Sequence, residues 1–422
     1  MNLINKINTF FEKKIPLIIT IYFFIQPIID LIAGICINVF EITNIFSALI
    51  RILFFLFCLY YLFFIDKDKK KKYYLLLFIL YIIIFFINII FMKDVSVIFY
   101  EFQNTISTFY FPVVFISLLS MFKKYNFNIS YKQILYIVLT YLLLIIIPNL
   151  LGISTNSYAH SKEGTIGLFT SANAIGGILS ICFPCILIYF KDKKNIYFLS
   201  IFLILFLYIL LNIGTKTPVL CAFMIILLNL IYFIIYKKNM RKILVPLIVI
   251  FLMISIYLIP KTSFYKNIEI HLKFLGVNNI LEIFKDETLI DHFIFSQRLT
   301  FLNRTRNSYI NSNISSKILG IGYIENYGTD NMNLKTIEMD YYDIYYRHGI
   351  FGILLIFYPL FMFFKELVSK ESKFSFEKYN IIISILLIFI LAFFSGHIFV
   401  TPQVSIFVCL IFNYYKNIKN NS

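Results

Sequence analysis

The 422-residue sequence has no tryptophan and little charge; only 14% of its residues are Asp, Glu, Lys or Arg. A soluble domain carries about 25%, so a soluble enzyme is excluded. The same shortage, with 60% hydrophobic residues, excludes a disordered chain. Six cysteines do not make a disulfide scaffold, because Cys36, Cys58, Cys182, Cys185, Cys221 and Cys409 all lie in apolar runs. Cys182 and Cys185 have CxxC spacing. Pro184 and the aliphatic neighbours nevertheless read as small buried hydrophobes, not metal or redox ligands. The missing Trp, beside 50 Phe and 31 Tyr, points to an AT-rich coding bias. No small-residue cleavage site follows the first apolar run, so no removable signal peptide is expected. No convincing duplication relates the two halves, which counts against a transporter built from repeats.

What is present is apolar length. Mean hydropathy is +0.83. A bilayer core needs about 20 apolar residues per helix. Such segments lie at about 16–40, 43–65, 73–92, 102–122, 133–153, 167–190, 196–213, 218–236, 243–260, 348–364, 380–397 and 401–415. The expected fold is all-α, a polytopic membrane helix bundle of about 12 transmembrane helices in one integral membrane domain, 1–422. One large extracytoplasmic loop, 261–347, separates spans nine and ten. It is too long for a passive turn.

The net charge of +16 is a topology signal. Lys6, Lys13, Lys14, Lys67, Lys69 to Lys72, Lys123, Lys124 and Lys132 fall in alternate connections, and so do the basic groups at 191–194, 237–242, 365–378 and 416–419. The opposite short loops hold only Lys93, Lys162 and Lys216. The positive-inside rule therefore puts both termini in the cytoplasm of a multi-pass protein. A basic soluble chain would suggest nucleic acid; here the excess has a membrane address and no nucleic-acid partner is implied. The large loop balances ten basic against ten acidic residues, and all five histidines fall on or near the external side.

Several polar residues lie in or beside spans, where a midplane charge costs about 3 kcal/mol on insertion scales. Gln26 and Asp30 lie in the first, Arg51 in the second and Glu101 at the start of the fourth. Asp30 and Arg51 are placed to pair, either as a structural ion pair near the external interface or along a substrate path. In 167–177 (GLFTSANAIGG), the small residues allow close helix approach, and Asn173 is an amide near the external face. In the short external turn 214–218 (GTKTP), Pro218 suits a first helical turn. Lys216 there is either a snorkelling side chain or a fixed cation for an anionic group. The large loop carries Arg298 in 297–302 (QRLTFL). Gly320 and Gly322 lie in 316–323 (SKILGIGY), which reads as a turn rather than a phosphate loop. Glu338, Asp340 and Asp343 then stand beside Arg347 and His348 in 338–352 (EMDYYDIYYRHGIFG). At helical spacing Asp340 and Asp343 share a face, as do Asp343 and Arg347. This cluster either solvates a helix end or forms part of a site.

In order, spacing and topology, these stretches resemble the O-antigen ligase and O-antigen polymerase superfamily over about 165–365, and 26–31 (QPIIDL) is similar to the first span of Gram-positive members. The resemblance implies an integral membrane glycosyltransferase that needs no cofactor and no metal ion. It would act on the outer face of the cytoplasmic membrane, with an undecaprenyl-diphosphate-linked glycan as donor and a glycan or lipid-linked acceptor. Membrane lipid is a further partner, and a chain-length regulator protein is one expected of a polymerase. The family pattern has an Arg where this chain has Lys216, an Arg matching Arg298, and a His where this chain has Glu338. Lys keeps the charge but loses the bidentate fork. The two departures disfavour a lipid A core ligase and favour a polymerase of a capsule or other surface polysaccharide, or a ligase with another acceptor.

The chemistry asks for the same groups. Cleaving an anomeric bond to a lipid diphosphate leaves an anion that cations must stabilise, and Arg298 and Lys216 are the external ones. The acceptor hydroxyl needs a base or an orienting acceptor, for which Glu338 comes first and Asp340 second. Asn173, Arg347 and Arg51 complete the expected substrate contacts. The alternative is a lipid-linked oligosaccharide flippase or other secondary transporter. It predicts more charge deep in the spans and visible repeats, and it leaves the large loop without a task. A non-catalytic assembly or sensory protein would show a soluble cytoplasmic domain, and the cytoplasmic loops are short.

Overall fold

The computed structural model describes residues 3–42, 45–157, 163–193, 196–236, 253, 257, 259–277, 279–324, 336–368 and 373–420. Among them there is no strand, only an isolated bridge between Asn156 and Thr165. The all-α expectation holds. The first eight helices are α1 Leu3–Asn38, α2 Ile45–Tyr60 (prolonged by a π turn, Tyr61–Ile65), α3 Lys69–Met92, α4 Ile98–Tyr125, α5 Tyr131–Leu150, α6 Ala172–Lys193, α7 Ile196–Ile213 and α8 Lys216–Tyr236. Short helices follow, among them α9 Ser263–Phe274, α10 Arg298–Asn311 and α11 Ile314–Leu319. The chain ends with α12 Asp340–Val368, α13 Phe376–Phe394 and α14 Pro402–Asn420.

Among the described residues nine helices are long and apolar enough to cross a membrane, and α7 holds a shorter apolar stretch. The expected ninth span, 243–260, lies almost wholly outside the described residues. The expected last span is α14, which occupies the centre of the bundle against α4, α6 and α13. Its residues Val404 to Phe412 are all 0–1% exposed. Protein rather than lipid surrounds α14, so it tolerates Gln403, Ser405 and Asn413 and is less apolar than its neighbours. The outer helices are inverted. Leu76, Leu77, Leu80, Ile83 and Ile87 of α3 are exposed, as a lipid-facing surface requires.

Local signals fix the helix ends. Asp68 accepts the Lys70 N–H, Ser130 and Gln133 form a capping box, and Ser375 caps α13. All three caps lie at the end of the bundle that carries the Lys69 to Lys72 run. At the opposite end the small residues of α6 allow close approach. A Cβ on Gly176 would collide with the Pro218 ring, and one on Gly177 would lie 3.2 Å from Ile398.

One helix is broken. In α12, Gly349 adopts φ 63° and ψ −167°, outside any helical region. The break frees backbone carbonyls, which cannot stay unpaired away from water. Ile321 N–H donates to Tyr346 O at 3.0 Å and Gly322 N–H to Arg347 O at 3.1 Å. The Tyr81 hydroxyl donates to His348 O at 2.8 Å. The strand-like segment after α11 thus stitches itself to the kink. Gly320 and Gly349 cross there with no room for a Cβ on either.

Candidate functional site

Arg298 is presented by a tight turn. Ser296 and Gln297 both have left-handed backbones, φ 54° and 67°, which double the chain back before α10. Buried Asp291 caps the helix that follows, accepting the N–H groups of Leu299 at 2.8 Å and Thr300 at 3.0 Å. The guanidinium donates to Phe394 O at 2.9 Å and to Glu338 Oε2 at 2.8 Å. The other Glu338 oxygen lies 3.9 Å from His397 Nε2. Glu338 is itself left-handed, φ 58°, and the Asp343 carboxylate fixes it by accepting the Ile337 and Glu338 N–H groups at 3.0 and 2.9 Å. Burial would raise the Glu338 carboxyl, but His397 and Arg298 hold it down at about 2. Burial would lower the His397 imidazole, but Glu338 and Asp340 hold it above its ordinary value.

Glu338 and His397 line a cavity of about 260 Å³. Asp340, Asp343 and Glu338 form one wall, His397 and Thr401 another, and Asn104, Ser107 and Thr108 of α4 a third. Tyr323 closes it, with its hydroxyl 2.5 Å from Thr108 Oγ1 and 3.0 Å from His348 Nε2. Asp340 is fully buried and turned to a structural use, since its Oδ2 accepts Ile398 and Phe399 N–H at 2.9 and 2.7 Å. Its Oδ1 is buried without a hydrogen-bond partner. Among the described residues no group of three His, Cys, Asp or Glu is arranged to hold a metal ion.

The structure therefore brings Glu338 and Asp340 to one cavity, and Arg298 is joined to it through Glu338. Arg347 is behind it: fully buried, donating to Gly322 O at 3.0 Å, 3.8 Å from Asp343 and packed over the Tyr323 ring. Lys216 belongs to a separate group. Its ammonium donates to Phe293 O at 2.7 Å, lies 3.2 Å from His271 Nδ1 and sits over the Phe293 ring. Asn173 is half-buried in the first turn of α6, one turn before the Gly177 that meets Ile398. Arg51 pairs with Asp30, whose other oxygen accepts the Tyr141 hydroxyl at 2.6 Å. The structural reading of that pair accounts for both residues.

A family model described as O-antigen ligase like membrane protein matches residues 12–288 and 277–418. The chain belongs to this family. No curated protein and no solved structure matches it. An O-antigen ligase like membrane protein is a polysaccharide-processing, glycosyltransferase-like membrane enzyme, and the cavity is the place in this member where polar chemistry meets an apolar scaffold.

Two contributors, His397 and Tyr323, were not singled out from sequence. His397 lies in a two-span turn, beside Gly396, whose φ of 64° lets the chain pass Glu338 without a Cβ. Tyr323 owes its position to Glu101, which accepts its N–H across 222 residues of sequence. The i, i+3, i+4 spacing of Asn104, Ser107 and Thr108 was a readable sign of a polar face on α4.

Proposed function

We propose that this O-antigen ligase-like protein transfers glycan from an undecaprenyl-diphosphate-linked donor on the outer face of the cytoplasmic membrane, and that it acts as a surface-polysaccharide polymerase. The observation that carries the reading is the polar cavity lined by Glu338 and His397, with Arg298 paired to Glu338, at the end of the bundle away from the Lys69 to Lys72 run. That basic run marks the other end as cytoplasmic by the positive-inside rule.

In this reading the acceptor hydroxyl attacks the anomeric carbon of the donor. The bond from that carbon to the phosphate oxygen breaks, and its electron pair leaves with the diphosphate. Arg298, with Lys216 as the second cation, offsets the charge that develops on the leaving group. The hydroxyl proton passes to the Glu338–His397 pair. Arg347 supports the cavity from behind through Asp343 and Tyr323, and Asn173 is offered as a sugar contact outside it.

The donor's long tail needs an apolar seat. A second, larger cavity of about 810 Å³ runs between α3 and α12, lined by Tyr74, Leu77, Tyr81, Leu354 and Tyr358 and reaching Lys70. It is apolar and carries no chemistry. Tyr81 of this groove and Tyr323 of the polar cavity are linked through His348, so a Tyr81–His348–Tyr323 layer lies between linings of the two. A polyprenyl chain in the groove would bring its diphosphate towards that layer.

The test is the glycan made by cells that lack the gene. A polymerase defect leaves single repeat units on the acceptor and no long chains. Complementation with the wild-type gene restores the ladder, and Arg298→Ala does not, at equal protein abundance. Full-length polymer from Arg298→Ala would refute the assignment; polymer retained on the lipid carrier in the deletion strain would make the enzyme a ligase.

A further inference from the structure

The geometry points to His397 as the general base of the transfer, with Glu338 as its orienting carboxylate. This rests on the glycosyl-transfer reading above and deepens it. The turn between α13 and α14 brings His397 into the cavity beside Glu338, with Nε2 3.9 Å from Glu338 Oε1.

Glu338 is badly placed to act as the base itself. One oxygen is committed to the Arg298 guanidinium at 2.8 Å, and the other faces the imidazole. The pairing makes it a weak proton acceptor, in keeping with its depressed carboxyl value of about 2. At 3.9 Å from Nε2 the carboxylate stands as a counter-charge to the imidazole. With Glu338 on the Nε2 side, Nδ1 is the nitrogen left to take a proton. Nδ1 faces Thr401, whose Oγ1 is 3.5 Å away, and both side chains line the polar cavity. A hydroxyl of the acceptor sugar in that cavity would lie within reach of Nδ1.

The backbone holds the imidazole in place. His397 has φ 62°, a conformation that non-glycine residues seldom adopt and that clusters at functional sites. The next two N–H groups, of Ile398 and Phe399, are anchored on Asp340. The charged groups facing His397 are Glu338, Asp340 and Asp343 from the α12 side and Arg298 from α10. The other residues lining the cavity from α4 are neutral. The net carboxylate environment raises the imidazole, which strengthens it as a base.

The test uses purified full-length protein in detergent. Its substrate is the polyprenyl-diphosphate-linked oligosaccharide fraction extracted from membranes of the deletion strain. Chain growth is read on a gel across pH. His397→Gly is the informative variant, because glycine accepts φ 62° without strain and leaves an imidazole-sized space. The expected result is a loss of roughly 10² to 10⁴ in kcat with little change in KM. Added imidazole should restore part of the rate, and the ascending limb of the pH profile should vanish. Glu338→Gln should keep a limb but move it to lower pH, since the charge that raises His397 is gone. His397→Gly activity within a few-fold of wild type, or a loss that imidazole does not rescue in protein of unchanged melting temperature, would overturn the assignment to His397. A wild-type enzyme inert on this fraction would overturn the transfer reading, and the base assignment with it.

Discussion

The Glu101 carboxylate, fully buried at the start of α4, accepts the backbone N–H of Tyr323 at 2.8 Å across 222 residues of sequence. It also accepts the Ile324 N–H at 2.9 Å and the Lys93 ammonium at 2.5 Å. Burial pushes Lys93 below its ordinary range even with Glu101 beside it. One carboxylate therefore clamps the segment that carries Tyr323 into the polar cavity.

Removing that carboxylate strands a buried ammonium and two backbone N–H groups. Glu101→Ala should cost roughly 3–5 kcal/mol, the scale for breaking a buried pair. Thermal unfolding in detergent measures it. A melting temperature within a degree or two of wild type would show that the clamp is unimportant.

Gly349→Ala should abolish accumulation of folded protein. Alanine at φ 63° is strained, and its Cβ would collide with the Ile318 carbonyl in the stitched kink. Gly152→Ala is the control, with φ 71° but open space around it. It should cost only about 1 kcal/mol of backbone strain. Membrane-fraction abundance compares the two.

Arg298→Lys should keep the charge but lose the fork that holds Phe394 O and Glu338 together. Polymer synthesis should fall roughly 10²-fold, the scale of one lost donor to a developing anion. Abundance should hold. Quantifying long-chain glycan against protein level checks both.

Glu338 and His397 stabilise the fold in opposite pH directions. Glu338 is depressed to about 2, so its contribution is complete above the usual Glu value of about 4.3 and is lost as pH falls towards 2. His397 is raised, so its contribution is complete below the usual His value of about 6.5 and is lost as pH rises through its folded value. The melting-temperature gap between wild type and Glu338→Gln should peak between about pH 5 and 6.5 and close in acid. A gap that does not vary with pH would mean that the ion pair contributes nothing.

The sequence by itself determined the solvent of this protein. Uninterrupted apolar runs can satisfy their backbone in lipid only as helices, and lysines gather where the chain need not cross. It also singled out Arg298, Glu338 and Asp340, because a leaving diphosphate needs a cation and an acceptor hydroxyl needs a base. The close approach at the α6 glycines was also readable, since Gly176 meets Pro218 and Gly177 meets Ile398 for reasons of size alone. Tertiary structure decided which polar residues meet. Nothing in the spacing of Glu101 and Tyr323, or of Glu338 and His397, announces a contact, because each pair is joined by the packing of separate helices. Packing also divided the expected site, leaving Lys216 with His271 and Phe293, and Arg51 with Asp30. A charge in an apolar chain must find a partner, but only the assembled bundle determines which one it finds.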